Sequence, residues 1–305
     1  IGRLRLISQR NIGIVPWPKY SSPAMKKAFQ DVTNQRSEKS SLFSTVTFPS
    51  RPGCCNTDPI LTSTKIASSF VTTMKYERTK GSVGGVKKTC LIRSFDHYER
   101  KQLQMPRVLT GASNKYSGKN FGPADTMEIW EVACAATAAP MYFKEVKKKS
   151  NDGTTKFYYS DGGFGHTNNP TQLGIQEIET LHGKGNIGVV VSVGTARAND
   201  SSRGKNIFKR VKDIADTATD PKIVAEQLHT RELYWRLNDD EGLSVELDEW
   251  KPNNLFTRRP GRKTLATIQQ EFYRWASERN NITLLEHCAR ELVRRRRKRV
   301  ENGSR

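Results

Sequence analysis

The feature that most constrains the fold is a strand, a helix and a second strand in the middle of the chain. Residues 156–160 are rich in aromatic side chains and predict a strand, while residues 187–193 form a nearly continuous apolar run, typical of a strand covered on both faces. Between them, residues 170–181 predict a helix, with Asn169 as its cap and Pro170 in the first helical position. This βαβ order favours a parallel sheet with helices on its faces, so we predict the α/β class.

Weaker patterns place further elements on either side of this unit. Residues 65–72 and 89–93 predict strands, and the glycine- and lysine-rich residues 80–88 between them fit either a hairpin turn or an inserted loop. A short helix is predicted near residues 24–33. In the last third, residues 223–236 predict a helix, and a further apolar helical pattern predicts core positions. The members of that pattern are Leu265, Ile268, Phe272 and Trp275.

An alanine-rich helix is predicted between Pro123 and Pro140. Asp125 is placed to cap its first turn, and Glu128 stands three residues on, at the spacing of a capping box. The small side chains from Ala133 onward allow a neighbouring backbone to approach closely. We therefore expect this helix to be tightly packed.

Charge and cysteine content narrow the class of partner. The chain has 51 Lys and Arg residues against 31 Asp and Glu, a formal net charge of +20, which favours anionic partners such as phospholipid headgroups, nucleic acid or acidic proteins. The basic run at residues 294–299 contains no aromatic residue for base stacking, which disfavours single-stranded nucleic acid.

The 5 cysteines form no CxxC pair and no zinc-like cluster. Neither a signal peptide nor an apolar span is visible, so we expect a cytoplasmic protein, peripheral at membranes.

Asp161 and two glycines follow the first strand of the central unit. An aspartate at the carboxyl end of a predicted strand lies where open parallel sheets place their sites. Gly162 and Gly163 allow a sharp turn of the backbone and the close approach of another group. A carboxylate here can act as general base for a serine hydroxyl if partial burial raises its pKa. The alternative is an ordinary Asp-Gly turn, in which Asp161 only accepts hydrogen bonds from turn amides.

Three separated segments resemble, in order, the patatin-like phospholipase family. Residues 130–143 (WEVACAATAAPMYF) look like the family's alanine-rich helix that runs into a Pro-x-x-Phe turn. Residues 158–170 (YYSDGGFGHTNNP) are similar to its Asp-Gly-Gly motif with the following Asn-Asn-Pro, and residues 191–195 (VSVGT) resemble its next strand and Ser-x-Gly-Thr turn. Weaker similarity extends the resemblance over most of residues 65–250.

The resemblance implies a three-layer α/β/α fold with a largely parallel central sheet. It also implies a lipid acyl hydrolase that cleaves phospholipids or other glycerolipids through an acyl-enzyme, using a serine-aspartate dyad in which Asp161 is the base. Gly162 and Gly163 shape the turn of that base. No P-loop or dinucleotide fingerprint occurs and the histidines are scattered, so we expect no cofactor and no metal.

The family's serine lies in a G-x-S-x-G elbow, which these 305 residues do not contain. The nearest match, around Ser82, has Lys80 in place of the first glycine, and Ser192 lies inside a strand pattern. Residues 1–6 resemble the family's segment just after the elbow, where the elbow's helix continues. We therefore expect a truncated chain that is inactive alone and whose missing N-terminal part held the elbow and the oxyanion loop. A genuine pseudoenzyme is the alternative.

The predicted organisation is an incomplete patatin-like domain over residues 1–280, followed by a C-terminal helix and basic tail over residues 281–305. The expected partners are a phospholipid or other glycerolipid substrate and, at the periphery, anionic membranes. The competing class is a non-catalytic protein whose basic surface binds anionic membranes or nucleic acid.

Overall fold

The chain forms two compact units in the computed structural model, one ending at Asn168 and one running from Asn169 onward. The structure describes residues 18, 20–34, 68–81, 85–96, 124–140, 142–150, 152–165, 167–196, 221–240, 242–243, 245, 249–251 and 261–302. Within these residues the first unit contains a four-stranded sheet and the second a two-stranded sheet.

The first unit is a four-stranded antiparallel sheet with two helices. Its elements are α1 (Ser22–Asn34), β1 (Phe70–Thr79), β2 (Lys88–Arg93), α2 (Ile129–Ala136), β3 (Val146–Lys149), β4 (Thr155–Asp161) and a 3₁₀ turn (Gly162–Gly165). The strand order is β2-β1-β4-β3, and each neighbouring pair is antiparallel. Of the two predicted arrangements for the first strands, the structure adopts the hairpin. The predicted helix near residues 24–33 is confirmed as α1.

The core of this unit lies between one face of the sheet and α2. Strand residues alternate between the two faces, so Thr73, Ile92 and Tyr159 share the inner face and are all buried. The hydroxyl of Thr73 donates to the carbonyl oxygen of Cys90 at 3.1 Å, which satisfies a polar group that is fully enclosed. Ala135 of α2 packs against the same cluster with 0% exposure, as expected of the alanine-rich segment.

The start of α2 differs from the prediction by three residues. Glu128, not Asp125, is the N-cap, and it forms a reciprocal capping box with Glu131. The carboxylate of Asp125 instead accepts the N–H of Met127 at 2.8 Å in the turn before the helix. Asp125, Glu128 and Glu131 are spaced three residues apart, so two overlapping pairs have the spacing of a capping box. The local pattern does not tell which pair begins the helix.

The second unit is mainly helical and carries a short parallel strand pair. Its elements are α3 (Thr171–His182), β5 (Val190–Val193), α4 (Pro221–Leu228), β6 (Tyr234–Leu237), α5 (Arg262–Ser277) and α6 (Arg279–Glu301). The predicted helix is confirmed as α3, but its N-cap is Pro170 and not Asn169. The side chain of Asn169 accepts both the N–H and the hydroxyl of Thr171, at 3.3 and 2.6 Å, in the turn before the helix. The predicted helix over residues 223–236 is only partly correct, because its second half forms β6.

The predicted mixture of helices and strands is confirmed, but the predicted parallel sheet is not found in the described residues. β4 pairs with β1 on one side and β3 on the other, so both of its edges are occupied and β5 cannot join it. β5 pairs in parallel with β6 instead. The prediction that the central βαβ unit builds one largely parallel sheet is therefore wrong for this part of the chain.

The predicted core face of α5 is largely exposed. Leu265, Ile268 and Phe272 are 53%, 37% and 56% exposed, whereas Trp275 is buried. Helical spacing correctly grouped the first three side chains on one side of the helix. The side that packs inward carries Thr264 and Trp275 instead.

Candidate active site at Asp161

Asp161 is the last residue of β4 and is held there by the sheet and by the segment after α2. Thr73 of β1 lies opposite Asp161 in the antiparallel register. The backbone N–H of Asp161 donates to the carbonyl oxygen of Ala138 at 3.1 Å. The aspartate therefore has a fixed backbone position at the edge of the unit's core, and its side chain is half-buried.

The two positions after Asp161 are too crowded for a side chain and therefore favour glycine. A β-carbon on Gly162 would lie 2.6 Å from the carbonyl oxygen of Thr72 and 2.8 Å from the hydroxyl oxygen of Thr167. That hydroxyl donates to the carbonyl oxygen of Gly162 at 2.5 Å, which closes the turn. A β-carbon on Gly163 would lie 2.6 Å from the side-chain oxygen of Asn168. Of the two roles predicted for these glycines, the structure supports the close approach of other groups.

The carboxyl group of Asp161 is a stronger base than an exposed carboxylate. Burial raises its pKa, and the hydrogen bond from the N–H of Gly163 to Oδ1 at 2.7 Å opposes that shift only in part. One carboxylate oxygen is thus used in the turn. Both the catalytic interpretation and the Asp-Gly turn interpretation describe this geometry, so the assignment of Asp161, Gly162 and Gly163 stays a prediction.

The alanine-rich helix α2 lies directly behind this site. Ala135 and Ala138 are 0% and 1% exposed, and α2 contacts both β1 and β4. Larger side chains would push the helix away from β4 and from the hydrogen bond that Ala138 accepts. The small residues of this segment therefore determine how closely the site's strand and helix approach each other.

Ser192 is used in a hydrogen-bond network of the second unit. It lies opposite Arg236 across the β5–β6 pair, and Nη1 of Arg236 donates to its hydroxyl oxygen at 2.8 Å. The hydroxyls of Thr171 and Ser192 are 2.7 Å apart, and Ser192 is only 5% exposed. These contacts describe a structural hydroxyl. Ser82 lies outside the described residues.

The described cysteines are poor candidates for a nucleophile. Cys90, Cys134 and Cys288 are free and buried. Burial raises the pKa of all three thiols, to about 11 for Cys134, so each holds its proton at neutral pH. No group of three His, Cys, Asp or Glu side chains in the described residues could hold a metal ion. In the same residues, no helix combines the length and the apolar character needed to cross a bilayer.

The comparison with known proteins supports a distant relation to a lipid hydrolase. In an alignment 179 residues long that covers 56% of this chain, the chain is 25% identical to calcium-independent phospholipase A2-gamma of Oryctolagus cuniculus. The chain spans about a fifth of that relative's own length, since the match covers 20% of it. No family model and no solved structure matches the chain.

The candidate base was predictable from its motif, but the groups that surround Asp161 and Gly162 were not. The carbonyl oxygens of Thr72 and Ala138 and the hydroxyl of Thr167 come from three separate segments. Two of these groups belong to the backbone, which carries no residue-specific signal. Thr167 lies within the motif segment, but nothing in the local pattern indicates that its hydroxyl reaches back to Gly162.

Proposed function

We propose that this chain carries the general base of a patatin-type lipid acyl hydrolase, with Asp161 as the base of a serine-aspartate dyad. The expected substrates are acyl esters of phospholipids or other glycerolipids. The named activity of the distant relative, a phospholipase A2, supports this class of substrate. The cytoplasmic, membrane-peripheral location belongs to the same proposal.

The observation that carries the proposal is the half-buried carboxyl group of Asp161 at the end of β4. Its backbone is fixed through Ala138 and its pKa is raised by burial. A serine hydroxyl is a weak nucleophile at neutral pH and needs a positioned base. A carboxylate with raised pKa meets that need without an intervening histidine, because it can accept the serine proton directly.

The nucleophile is the part of the dyad that these 305 residues do not supply in recognisable form, since they contain no G-x-S-x-G. Asp161 alone has no hydroxyl to deprotonate, and loss of oxyanion donors by itself lowers rates by about 100-fold or more. We therefore expect no ester turnover from these residues alone.

The first test measures hydrolysis of a fluorogenic ester and of phospholipid vesicles by the 305-residue chain. The expected rate equals that of the Asp161→Asn variant, and neither exceeds the buffer control. Turnover that Asp161→Asn abolishes would place an unrecognised nucleophile inside the chain and contradict the proposed division of the dyad.

In the second test, the transcript is sequenced upstream of the codon for Ile1, and any longer reading frame that contains a G-x-S-x-G is expressed. In that longer protein, Asp161→Asn is expected to lower kcat and the labelling of the serine by a fluorophosphonate by about 100-fold or more. Asp31→Asn is the matched control, because Asp31 is an exposed residue of α1. A longer protein in which Asp161→Asn retains full activity would exclude Asp161 as the base. An upstream start codon with no elbow would establish the pseudoenzyme.

A further inference from the structure

The C-terminal helix α6 carries an apolar stripe on its exposed side. Its inner side is buried at Cys288, and the helix contacts β6. Ile282, Val293 and Val300 are 42%, 48% and 66% exposed. Their spacings match whole numbers of helical turns, so they lie with Ala289 along one line of the helix surface. These four residues are called the outer stripe.

Cations lie on both sides of the outer stripe. Glu286 and Glu291 form ion pairs with nearby arginines of the same helix, namely Arg290, Arg294 and Arg295. The next four consecutive cations, at positions 296–299, are exposed and form no ion pair with any carboxylate that the structure describes. At about 100° per residue, Arg296 and Arg297 fall on opposite sides of the outer stripe.

We propose that α6 binds the surface of an anionic phospholipid bilayer. In this arrangement the outer stripe lies at the boundary between headgroups and acyl chains. Arg296 and Arg297, beside the stripe, contact the headgroups, and Lys298 and Arg299 add to the positive charge close to the membrane surface. A helix with a narrow apolar face between arginines is the pattern expected of interfacial binding, and clusters of four or more cations on such a helix favour anionic lipids. The choice of a lipid as partner rests on the proposed function.

The outer stripe distinguishes lipid from the other partners that a basic helix could bind. Nucleic acid would satisfy the arginines but leave Val293 and Val300 against water or phosphate. A second copy of α6 packed stripe to stripe in the parallel direction would bring Arg296 and Arg297 of both copies together, and like charges in contact repel. An anionic bilayer satisfies the cations and the valines at once.

The test measures binding of the 305-residue chain to vesicles by sedimentation at near-physiological salt. One set of vesicles is phosphatidylcholine alone, and the other contains about one-third phosphatidylserine. The charge variant replaces Arg296, Arg297, Lys298 and Arg299 by Gln. It is expected to lose on the order of 100-fold or more of the partition coefficient on phosphatidylserine vesicles.

A matched control removes the same number of charges from the first unit. Its four substitutions, also to Gln, fall on exposed cations of the antiparallel sheet and its hairpin: Arg78, Lys80, Lys88 and Lys156. The control is expected to bind vesicles within a few-fold of wild type. An equal loss in both variants would show a general effect of net charge and overturn the proposal, as would equal wild-type binding to both kinds of vesicle.

The stripe variant, Val293→Thr with Val300→Thr, keeps the side-chain shape and changes only polarity. It is expected to bind phosphatidylserine vesicles several-fold more weakly and a single-stranded oligonucleotide as tightly as wild type. If it leaves vesicle binding unchanged, α6 is a general polyanion-binding helix and the lipid assignment is wrong. Asp161→Asn is expected to bind vesicles like wild type, because Asp161 lies in the first unit and α6 in the second. The vesicle test of α6 and the test of Asp161 as the base therefore give separate results.

Discussion

The backbone N–H of Asp161 donates a hydrogen bond to the carbonyl oxygen of Ala138 at 3.1 Å. Ala138 belongs to the alanine-rich segment and Asp161 to the Asp-Gly-Gly segment, two of the three segments that resemble the patatin-like family. The structure therefore joins, through one backbone contact, two motifs that are separate along the chain. The contact also explains why small residues are needed near Ala138, since a displaced helix would lose it.

Gly162→Ala is expected to destabilise the first unit by about 1–3 kcal/mol, because the new methyl group overlaps backbone that cannot turn aside. The carbonyl oxygen and carbon of Thr72 would lie 2.6 and 2.7 Å from it. The free energy of unfolding, measured by urea denaturation, checks this value. Gly163→Ala is the control, since its main obstacle is the side chain of Asn168, which is exposed and free to rotate. Equal losses in the two variants would contradict the close approach seen at Gly162.

Asp161→Asn is expected to raise the free energy of unfolding at neutral pH. Because the pKa of Asp161 is raised in the folded protein, its ionisation opposes folding. That cost is absent below the ordinary carboxyl pKa of about 4. It grows as the pH rises from there through the raised value, and it is constant above it. The stabilisation of the variant should therefore shrink as the pH is lowered, which denaturation at a series of pH values measures.

Asp152→Asn provides a comparison of opposite sign. Hydrogen bonds from the hydroxyls of Ser150 and Thr154 lower the pKa of Asp152 to about 2. Its ionised form therefore favours folding above the ordinary carboxyl pKa, and that contribution is lost as the pH falls toward the lowered value. The variant should be less stable than wild type at neutral pH, with the difference disappearing in acid. If both substitutions changed the free energy of unfolding at neutral pH in the same direction, the burial of Asp161 would be refuted.

Ser192→Ala is expected to destabilise the second unit by about 1–3 kcal/mol. The substitution removes the oxygen that accepts from Arg236 and contacts the hydroxyl of Thr171, leaving a half-buried guanidinium without that acceptor. A double-mutant cycle with Thr171→Val checks the coupling within the network. If Ser192→Ala has no effect on stability but abolishes hydrolysis in an active longer protein, Ser192 is a catalytic residue and the structural interpretation is wrong.

Leu265→Ala is expected to change the free energy of unfolding by no more than about 0.5 kcal/mol, because Leu265 is more than half exposed on α5. Ile92→Ala, in the enclosed core of the first unit, should cost about 2–5 kcal/mol. Thermal or urea denaturation of the two variants makes the comparison. A large loss at Leu265 would mean that the face of α5 containing Phe272 is covered in the folded protein.

Elements with strong local signals were predictable from the sequence. The two strands joined by the glycine-rich connection were predicted, with a hairpin as one of two possible arrangements, and Asn169 followed by Pro170 indicated the start of α3 within one residue. The candidate base was found in the same way, because Asp161 and its two glycines stand directly after an aromatic strand. Each of these features depends on residues that are neighbours in sequence.

The partners of the strands could not be predicted, because pairing is decided between distant segments. β4 has the aromatic pattern of a buried strand in either kind of sheet, and only the presence of β1 and β3 at its edges excludes β5. The face of α5 was predicted wrongly for a related reason. Apolar spacing locates a stripe on a helix, but it does not tell whether another element covers that stripe.

The edge strand β3 affects how copies of this protein behave at high concentration. In the described part of the chain it forms one border of the sheet, where open backbone groups could pair with a strand from another molecule. Lys147 and Lys149 are exposed along this border. Two copies meeting edge to edge would bring these lysines against each other, so their repulsion protects the protein from aggregation through this strand. Replacing both by valine would remove that protection and lower the solubility without changing the core.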